Sequence, residues 1–175
     1  MLIKKILIAN RGEIAVDIIK TCKLMNIKTV AIFSEADRNS LHVELADEKY
    51  CIGPSLAKKS YLNANNIISI ALASGANAIH PGYGFLSEDY NFARLCQEND
   101  IIFIGPAWKT IKKLSNKISA KQLMRSLGMP VIEGYEVQND INSLKSIAQR
   151  LGYPVMIKSK NGGGGRGMKM VRCDE

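Results

Sequence analysis

The sequence has few residues of the types that build metal centres, and no segment suited to crossing a membrane. It contains only two histidines, and its four cysteines lie far apart without a C-x-x-C pair. These cysteines are Cys22, Cys51, Cys96 and Cys173. A tetrahedral metal site needs closely spaced ligand pairs, so we expect reduced, structural thiols. No apolar run approaches the ~20 residues that a membrane-spanning helix needs.

The amino terminus resembles a secretion signal only superficially. In MLIKKILIAN the apolar stretch is short, and NRGE follows where small residues should mark a cleavage site. We therefore interpret this segment as a first β-strand, and we predict a cytoplasmic protein with no membrane partner.

A nucleic-acid motif is also missing, although the net charge is +8 and the pI about 9.4. Part of this charge recurs every four residues, at Lys109, Lys113, Lys117, Lys121 and Arg125. A continuous helix would carry these side chains as a basic stripe. However, Ser-Asn at 115–116 is typical of a helix start and splits the segment into two helices. An interrupted stripe favours a solvated face over a nucleic-acid interface.

Apolar strand patterns alternate with amphipathic helix patterns over the first hundred residues. The strand patterns are KKILIA, KTVAIF, YCIG, NAIH and IIFIG, and the helix patterns are GEIAVDIIKTCKLMN, NANNIISIALASG and SEDYNFARLCQEND. We expect Gly75 to close the second helix and Ser87 to cap the third. This alternation predicts an α/β fold, a Rossmann-like unit with a parallel sheet covered on both faces.

The regular alternation of strand and helix patterns ends after Ile104. Two short helices are predicted over 107–127, then a strand in GMPVIEGY and a helix in DINSLKSIAQRLG. Asp140 is the expected cap of that helix, and Gly152 lies past its end. YPVMIKS and GMKMVR are typical of strands and flank the glycine run. We place a domain boundary near residue 114, which gives domains at 1–114 and 115–175.

The glycine run in KSKNGGGGRGMKM formally satisfies G-x-G-x-x-G. A dinucleotide site would need a helix to begin there, and a P-loop would need Gly-Lys-Ser/Thr, but an alternating strand pattern follows. The run is therefore the tip of a hairpin. Its bare amides, with Lys158 and Arg166 nearby, suit phosphate oxygens and a closing loop. A purely structural hairpin fits the residues equally well.

Two further loops follow predicted strands. NRGE has one glycine, Gly12, where the dinucleotide fingerprint has three. A dinucleotide site would use Glu35 or Asp37 to bind the ribose, but the single glycine favours a structural turn. In AIHPGYGFLSE, His80 has no visible nucleophilic or acidic partner. We expect a hydrogen-bonded structural histidine rather than a catalytic one.

Six segments, taken in order, resemble the biotin carboxylases. They are KILIANRGEIA, AIHPGYGFLSE, FIGP, NKISAK, GYPVMIKS and GGGGRGM. The family includes the biotin-carboxylating subunit of bacterial acetyl-CoA carboxylase, which serves fatty acid synthesis, and the matching domains of propionyl-, methylcrotonyl- and pyruvate carboxylases. The resemblance spans nearly the whole chain, but only the first two-fifths or so of a typical member. It implies a pre-ATP-grasp domain followed by the beginning of an ATP-grasp domain.

The resemblance also implies an activity, an ATP-dependent ligase reaction. ATP phosphorylates bicarbonate to carboxyphosphate, which releases CO2 to carboxylate biotin on a biotin carboxyl carrier protein. A carboxyltransferase is the second partner, and Mg²⁺ or Mn²⁺ accompanies ATP. By residue, Lys117 and Lys158 resemble the two nucleotide-contacting lysines. Gly164 and Gly165 match lid glycines whose amides meet the phosphates, and Met156 and Met168 would approach the adenine.

Several positions depart from the family pattern. Asn116 stands where most members have aspartate, and Lys160 and Asn161 replace the usual Ser and Gly. Asp17 stands where an arginine is common on a surface used for dimerisation, which argues against a family-type homodimer.

The metal-binding glutamates, the catalytic arginines and the second half of the ATP grasp would lie beyond Glu175 in the family. We therefore expect no catalytic residue, no metal ligand and no turnover in this chain alone. It would be an excised domain, a truncated gene product or half of a split enzyme. The alternatives are a catalytically inactive interaction module and the amino-terminal piece of a propionyl-CoA or pyruvate carboxylase.

Overall fold

The computed structural model describes residues 2–135, 137, 140–158 and 167–174, apart from the side chain of Lys117. The chain divides into two compact units, residues 1–112 and 113–175, which we call unit 1 and unit 2. No helix within the described ranges is both long and apolar enough to cross a bilayer.

Unit 1 alternates strands and helices around one sheet. Its elements are β1 (Lys5–Ile8), α1 (Gly12–Leu24), β2 (Lys28–Ser34), α2 (Leu41–Leu45), β3 (Glu48–Gly53), α3 (Ala64–Ser74), β4 (Ala78–His80), α4 (Tyr90–Glu98), β5 (Ile102–Phe103) and the first turns of α5 (Trp108–Leu114). The five strands are parallel, in the order β3-β2-β1-β4-β5. The predicted Rossmann-like α/β architecture is confirmed.

The core of unit 1 lies on both faces of this sheet because successive side chains of a strand point to opposite faces. On one face, Ile6 and Ile8 of β1 pack in a cluster with Ile19 of α1. On the other face, Leu7 packs in a cluster with Ile67 of α3 and with residues of α4. These strands are buried on both sides, which explains their continuous apolar pattern.

The amino terminus of α4 differs from the prediction. Its cap is Asp89, whose carboxylate accepts hydrogen bonds from the amides of Asn91 at 2.8 Å and Phe92 at 3.1 Å. The prediction of Ser87 as the cap was wrong because residues 84–89 form two successive turns. In these turns Ser87 N–H donates to the oxygen of Gly84, and Asp89 N–H to that of Leu86.

Unit 2 contains two capped helices and a hairpin. After the end of α5 come α6 (Lys117–Ser126), α7 (Ile141–Leu151), β6 (Val155–Lys158) and β7 (Met168–Val171). Asp140 caps α7 and Gly152 lies just past it, as predicted, and Asn116, in the Ser-Asn pair expected at a helix start, caps α6. The break between α5 and α6 also interrupts the lysine stripe, as predicted.

The predicted strand in GMPVIEGY is absent from the described residues 128–135, so that prediction was wrong. In the described part of unit 2 the sheet has only β6 and β7, which pair with each other. A strand needs a neighbour for its backbone groups. Here the oxygen of Ile132 instead accepts a hydrogen bond from Lys121 Nζ at 3.2 Å.

Candidate functional site

The hairpin of unit 2 has two chemically different faces. Its antiparallel register pairs Val155 with Val171, Met156 with Met170, Ile157 with Lys169 and Lys158 with Met168. Directly paired residues share a face, and residues two apart along a strand also share one. The first face, the methionine face, consists of Met156, Lys158, Met168 and Met170. The second, the valine face, consists of Val155, Ile157, Lys169 and Val171.

The methionine face is open within unit 2. The exposed fractions of its methionine side chains are 42% for Met156, 43% for Met168 and 49% for Met170. On the valine face, Val155 and Val171 are half-buried, whereas Ile157 is 43% exposed and Lys169 is also exposed. The open face therefore offers a flat apolar surface beside one ammonium group. Such a surface suits a ligand that has an apolar ring and a negative charge.

Contacts with α7 fix the end of the hairpin. Asp174, which follows β7, accepts a hydrogen bond from Gln149 Nε2 of α7 at 2.6 Å and another from the Tyr153 hydroxyl. These bonds lower the pKa of the Asp174 carboxyl, the Tyr153 hydroxyl contributing most. The strands are thus joined to the helix at the end remote from the glycine run.

The predicted site residues fall into two groups. Lys158, Met156 and Met168 lie on the same face of the hairpin, as the alternation of the strands requires. Gly164 and Gly165 lie outside the described residues, and Lys117 is the first residue of α6 with its side chain also outside them. Met170 was not predicted to lie on this face, although its spacing of two from Met168 was a signal for it.

The cap of α6 explains one departure from the family pattern. The side-chain oxygen of Asn116 accepts hydrogen bonds from the amides of Ile118 at 2.9 Å and Ser119 at 3.2 Å. Asparagine and aspartate are comparably good helix caps because both present an oxygen to these orphan donors. The exchange of aspartate for asparagine therefore preserves the geometry that positions the first turn of α6, where Lys117 lies.

The ends of β1 and β4 in unit 1 are closed by their own residues. The amide of Asn10 donates hydrogen bonds to the oxygens of Pro81 and Tyr83, both at 2.8 Å. His80 Nδ1 accepts from the amide of Gly82 at 3.0 Å, and burial lowers the pKa of the imidazole. His80 is thus a neutral, hydrogen-bonded histidine, as expected. In open α/β sheets, ligands bind at the carboxyl ends of the strands. At β1 and β4 of unit 1, that place is closed by hydrogen bonds within the chain itself.

The carboxylate of Asp37 takes part in a second hydrogen-bond network within unit 1. It accepts hydrogen bonds from Ser34 Oγ at 2.7 Å, the Tyr61 hydroxyl at 2.8 Å and Arg11 Nη1 at 3.2 Å. Burial works to raise the pKa of Asp37, but these hydrogen bonds outweigh it and lower that pKa. The Arg11 guanidinium also lies over the rings of Tyr61 and Phe85. Asp37 is therefore not free to bind a ribose, which favours the structural interpretation of the NRGE turn.

The sulfur and acidic groups of the described residues build no metal centre. All four cysteines are free, with Cys22 and Cys96 buried and Cys51 and Cys173 exposed. Within the described ranges, no group of three or more His, Cys, Asp or Glu side chains could hold a metal ion.

Comparison with known families agrees with this division of the chain. Residues 2–111 match the biotin carboxylase N-terminal domain, and residues 116–175 match the ATP-binding domain of the carbamoyl-phosphate synthase L chain. The chain belongs to the biotin carboxylase family. The predicted family is confirmed, and with it an ATP-binding domain in the second part of this biotin carboxylase chain.

Individual relatives have similar sequences over nearly the whole chain. Biotin carboxylase 1 of Bacillus subtilis is 49% identical over 175 residues, which cover 99% of this chain and 39% of the relative. The mitochondrial methylcrotonoyl-CoA carboxylase subunit alpha of Dictyostelium discoideum is 55% identical over 174 residues, which cover 99% of this chain and 25% of the relative. The chain thus spans about two-fifths or less of the length of these curated relatives.

Solved structures of biotin carboxylases have the same fold. One is the biotin carboxylase domain dimer of Hydrogenobacter thermophilus 2-oxoglutarate carboxylase, in complex with MgADP, ADP and bicarbonate. It has a TM-score of 0.93 and 47% identity, over 99% of this chain and 38% of that one. Another is a biotin carboxylase-beta-gamma-ATP complex from Campylobacter jejuni. It has a TM-score of 0.93 and 45% identity, over 99% of this chain and 39% of that one.

Proposed function

We propose that this chain supplies the nucleotide-covering part of a biotin carboxylase, which uses ATP and bicarbonate to carboxylate biotin on a carrier protein. One observation carries the proposal. The two methionines and the lysine that the family resemblance assigns to the nucleotide lie together on one open face of the β6–β7 hairpin. The matched ATP-binding domain over residues 116–175 supports it.

Each residue that the resemblance assigns to the nucleotide has a distinct task in the proposal. The thioethers of Met156 and Met168 contact the adenine ring, because polarisable sulfur packs well against aromatic surfaces. The ammonium of Lys158 meets the phosphates as a compact point charge. Lys117 contributes a second cation, and the amides of Gly164 and Gly165 receive phosphate oxygens. Together these groups hold and orient the nucleotide, on which phosphoryl transfer depends.

The divalent ion does not fit the described residues, since no acidic cluster among them could hold it. We propose that Mg²⁺ or Mn²⁺, the bicarbonate-binding groups and the catalytic arginines belong to the part of the family fold that this chain does not span. The chain alone would then cover a nucleotide without turning it over.

The partners proposed are a biotin carboxyl carrier protein and a carboxyltransferase, in the cytoplasm. An acetyl-CoA carboxylase of fatty acid synthesis is our first choice for the complete enzyme, and a propionyl-CoA or pyruvate carboxylase is the alternative. The charge of Asp17 argues against a family-type homodimer. Asp17 is an exposed residue of α1, where it lies 4.0 Å from Lys20 and places a negative charge on that surface.

A fusion protein tests the function directly. The chain is joined to the part of Bacillus subtilis biotin carboxylase 1 that follows the matched segment, and ATP cleavage is measured with and without bicarbonate and free biotin. We expect bicarbonate-dependent release of ADP from the fusion and none from the chain alone. If circular dichroism showed the fusion to be folded but it cleaved no ATP, this would contradict the proposal and favour an interaction module without catalysis.

A further inference from the structure

The two faces of the hairpin differ in a way that strand-forming preference does not explain. On the valine face, three of the four residues are β-branched, the type that suits a strand best. On the methionine face, three of the four residues are methionines, although the backbone is the same. The chain has seven methionines in all, so this small surface holds nearly half of them.

The three thioethers are close to one another and open to solvent within unit 2. Met156 and Met170 are direct cross-strand partners, whose Cβ atoms typically lie about 4.5–5.5 Å apart. Met168 lies two residues from Met170 on the same side, directly opposite Lys158. All three residues are exposed, which leaves their side chains accessible to a small, uncharged oxidant. A change at one of these sulfurs therefore alters a surface shared by all three.

A peroxide can convert the apolar side chain of methionine into a polar one. The thioether sulfur attacks one oxygen of a peroxide, the O–O bond breaks and an S=O bond forms, and the second oxygen leaves as water after a proton shift. Sulfur loses two electrons and the peroxide gains them. The product, methionine sulfoxide, is polar and chiral, and it is reduced back by methionine sulfoxide reductases.

We propose that the methionine face is a redox-sensitive modification site, at which peroxide converts Met156, Met168 and Met170 to sulfoxides and thereby weakens nucleotide binding. Its second half rests on the proposed function, because only a nucleotide that packs on this face would lose contact with it. The first half concerns the sulfur atoms alone. Sulfoxide oxygens would face the adenine ring where apolar thioethers now lie, which costs the contact its hydrophobic part.

The chain provides matched controls for both halves of the proposal, which are the oxidation of the hairpin methionines and its effect on nucleotide binding. Met25, at the end of α1, and Met129, after α6, are exposed to 63% and 53% but lie outside the hairpin. The exposed thiols of Cys51 and Cys173 also react with peroxide. Dithiothreitol reverses sulfenic acids and disulfides but not methionine sulfoxide. Reversal by sulfoxide reductases after dithiothreitol treatment therefore isolates the methionines.

The first experiment follows oxidation site by site in the chain itself. After treatment with hydrogen peroxide, peptide mass spectrometry measures the sulfoxide fraction at each methionine. We expect Met156, Met168 and Met170 to be oxidised to an extent comparable to Met25 and Met129. Hairpin methionines that stay reduced while Met25 and Met129 are fully oxidised would overturn the proposal.

The second experiment measures the KM for ATP of the fusion before and after peroxide, in the unchanged protein, in M156L/M168L/M170L and in M25L/M129L. The ratio of treated to untreated KM is compared within each protein. We expect a rise of about fivefold or more in the unchanged protein and in M25L/M129L, none in M156L/M168L/M170L, and recovery with sulfoxide reductases. An unchanged KM in a protein that carries all three sulfoxides would overturn the proposal.

Failure of the proposed function gives a different result. An untreated fusion without bicarbonate-dependent ATP cleavage contradicts that function whatever peroxide does. The predicted loss of nucleotide binding then falls with it, and the site-resolved oxidation in the chain alone decides whether the face is a modification site.

Discussion

Gly82 lies so close to Asn10 that a Cβ atom on Gly82 would be 2.7 Å from Asn10 Nδ2. The same Cβ would be 2.6 Å from Cγ2 of Ile14 in α1. Cβ atoms essentially never approach non-bonded atoms this closely, so the loop after β4 and the turn after β1 approach each other only because residue 82 is glycine. This close approach, with the hydrogen bonds of Asn10, closes the sheet edge in unit 1.

Replacement of Gly82 by alanine should therefore destabilise unit 1 strongly. Its φ of +63° already costs an L-residue about 1–2 kcal/mol, and the overlap with Asn10 and Ile14 adds about 1–3 kcal/mol. The free energy of unfolding is measured by urea titration with the fluorescence of Trp108, the single tryptophan. Gly84→Ala is the control, because φ is +74° but nothing lies within 4 Å of the added Cβ. Equal losses in the two variants would refute the close approach.

The carboxylate of Asp47 should make the stability of unit 1 depend on pH in the acid range. A hydrogen bond from Lys28 Nζ at 2.9 Å, with others from the amide and hydroxyl of Thr29 at 2.9 and 2.8 Å, lowers the pKa of Asp47 to about 2. The unfolded chain has the higher pKa, near the ordinary value of about 3.9, so it binds the proton first as the pH falls. The stabilisation is thus complete above pH 4 and lost between about pH 4 and pH 2.

Asp47→Asn tests this dependence. Because the side chain is partly exposed and solvent screens the charges, we expect a loss of about 1–2 kcal/mol at pH 7 that disappears near pH 2. Unfolding by urea at a series of pH values gives the difference between the two proteins. Lys28→Ala removes only the exposed cation and should cost less, about 0.2–1 kcal/mol. A difference between Asp47→Asn and the unchanged protein that stays constant from pH 7 to pH 2 would contradict the assignment.

Long periodic elements were predictable from the sequence because their signal is local. The helices α1, α3 and α7 each repeat apolar residues over three turns, and the glycines and aspartate at their ends mark their limits. By contrast, α2 has five residues, too few to establish a period, and was missed. The false strand over residues 128–135 failed for the opposite reason, since a strand pattern says nothing about whether a neighbouring strand exists.

In the candidate site, too, features with a local sequence pattern could be predicted, whereas contacts between distant residues could not. That Lys158, Met156 and Met168 share a face follows from strand alternation once the hairpin is recognised. The network around Asp37 was not predictable, because it joins Asp37 to Arg11 and Tyr61, which lie 26 and 24 residues away in the sequence. No local pattern specifies that these side chains meet, and only the order of the strands brings them together.

The cap of α6 predicts that Asn116 can be exchanged for the aspartate that is usual in the family. Asn116→Asp should leave helix stability within about 0.5 kcal/mol, since either side chain offers an oxygen to the amides of Ile118 and Ser119. Asn116→Ala removes both bonds and should cost about 1 kcal/mol. Hydrogen exchange of the α6 amides measures this loss as roughly a fivefold fall in protection. If the aspartate variant lost as much protection as the alanine variant, the cap would not explain the departure.

Lys158 and Lys169 provide the sharpest test of the nucleotide face, because they lie on neighbouring strands of one hairpin but on opposite faces. Both side chains carry the same charge, and both residues are exposed in unit 2. A general electrostatic attraction between a basic protein and ATP would therefore be weakened about equally by removing either ammonium. A contact on the methionine face would be weakened by only one of the two changes.

In the fusion with the Bacillus subtilis segment, Lys158→Ala should raise the KM for ATP by about tenfold or more. This corresponds to the loss of one charge-assisted hydrogen bond of about 1.5–3 kcal/mol. Lys169→Ala should change the KM less than about twofold, because its side chain belongs to the valine face. Steady-state kinetics at saturating bicarbonate measure both values, and circular dichroism checks that both variants fold. If the two variants raised the KM equally, ATP would not bind on the methionine face, and the role assigned to Met156 and Met168 would be lost with it.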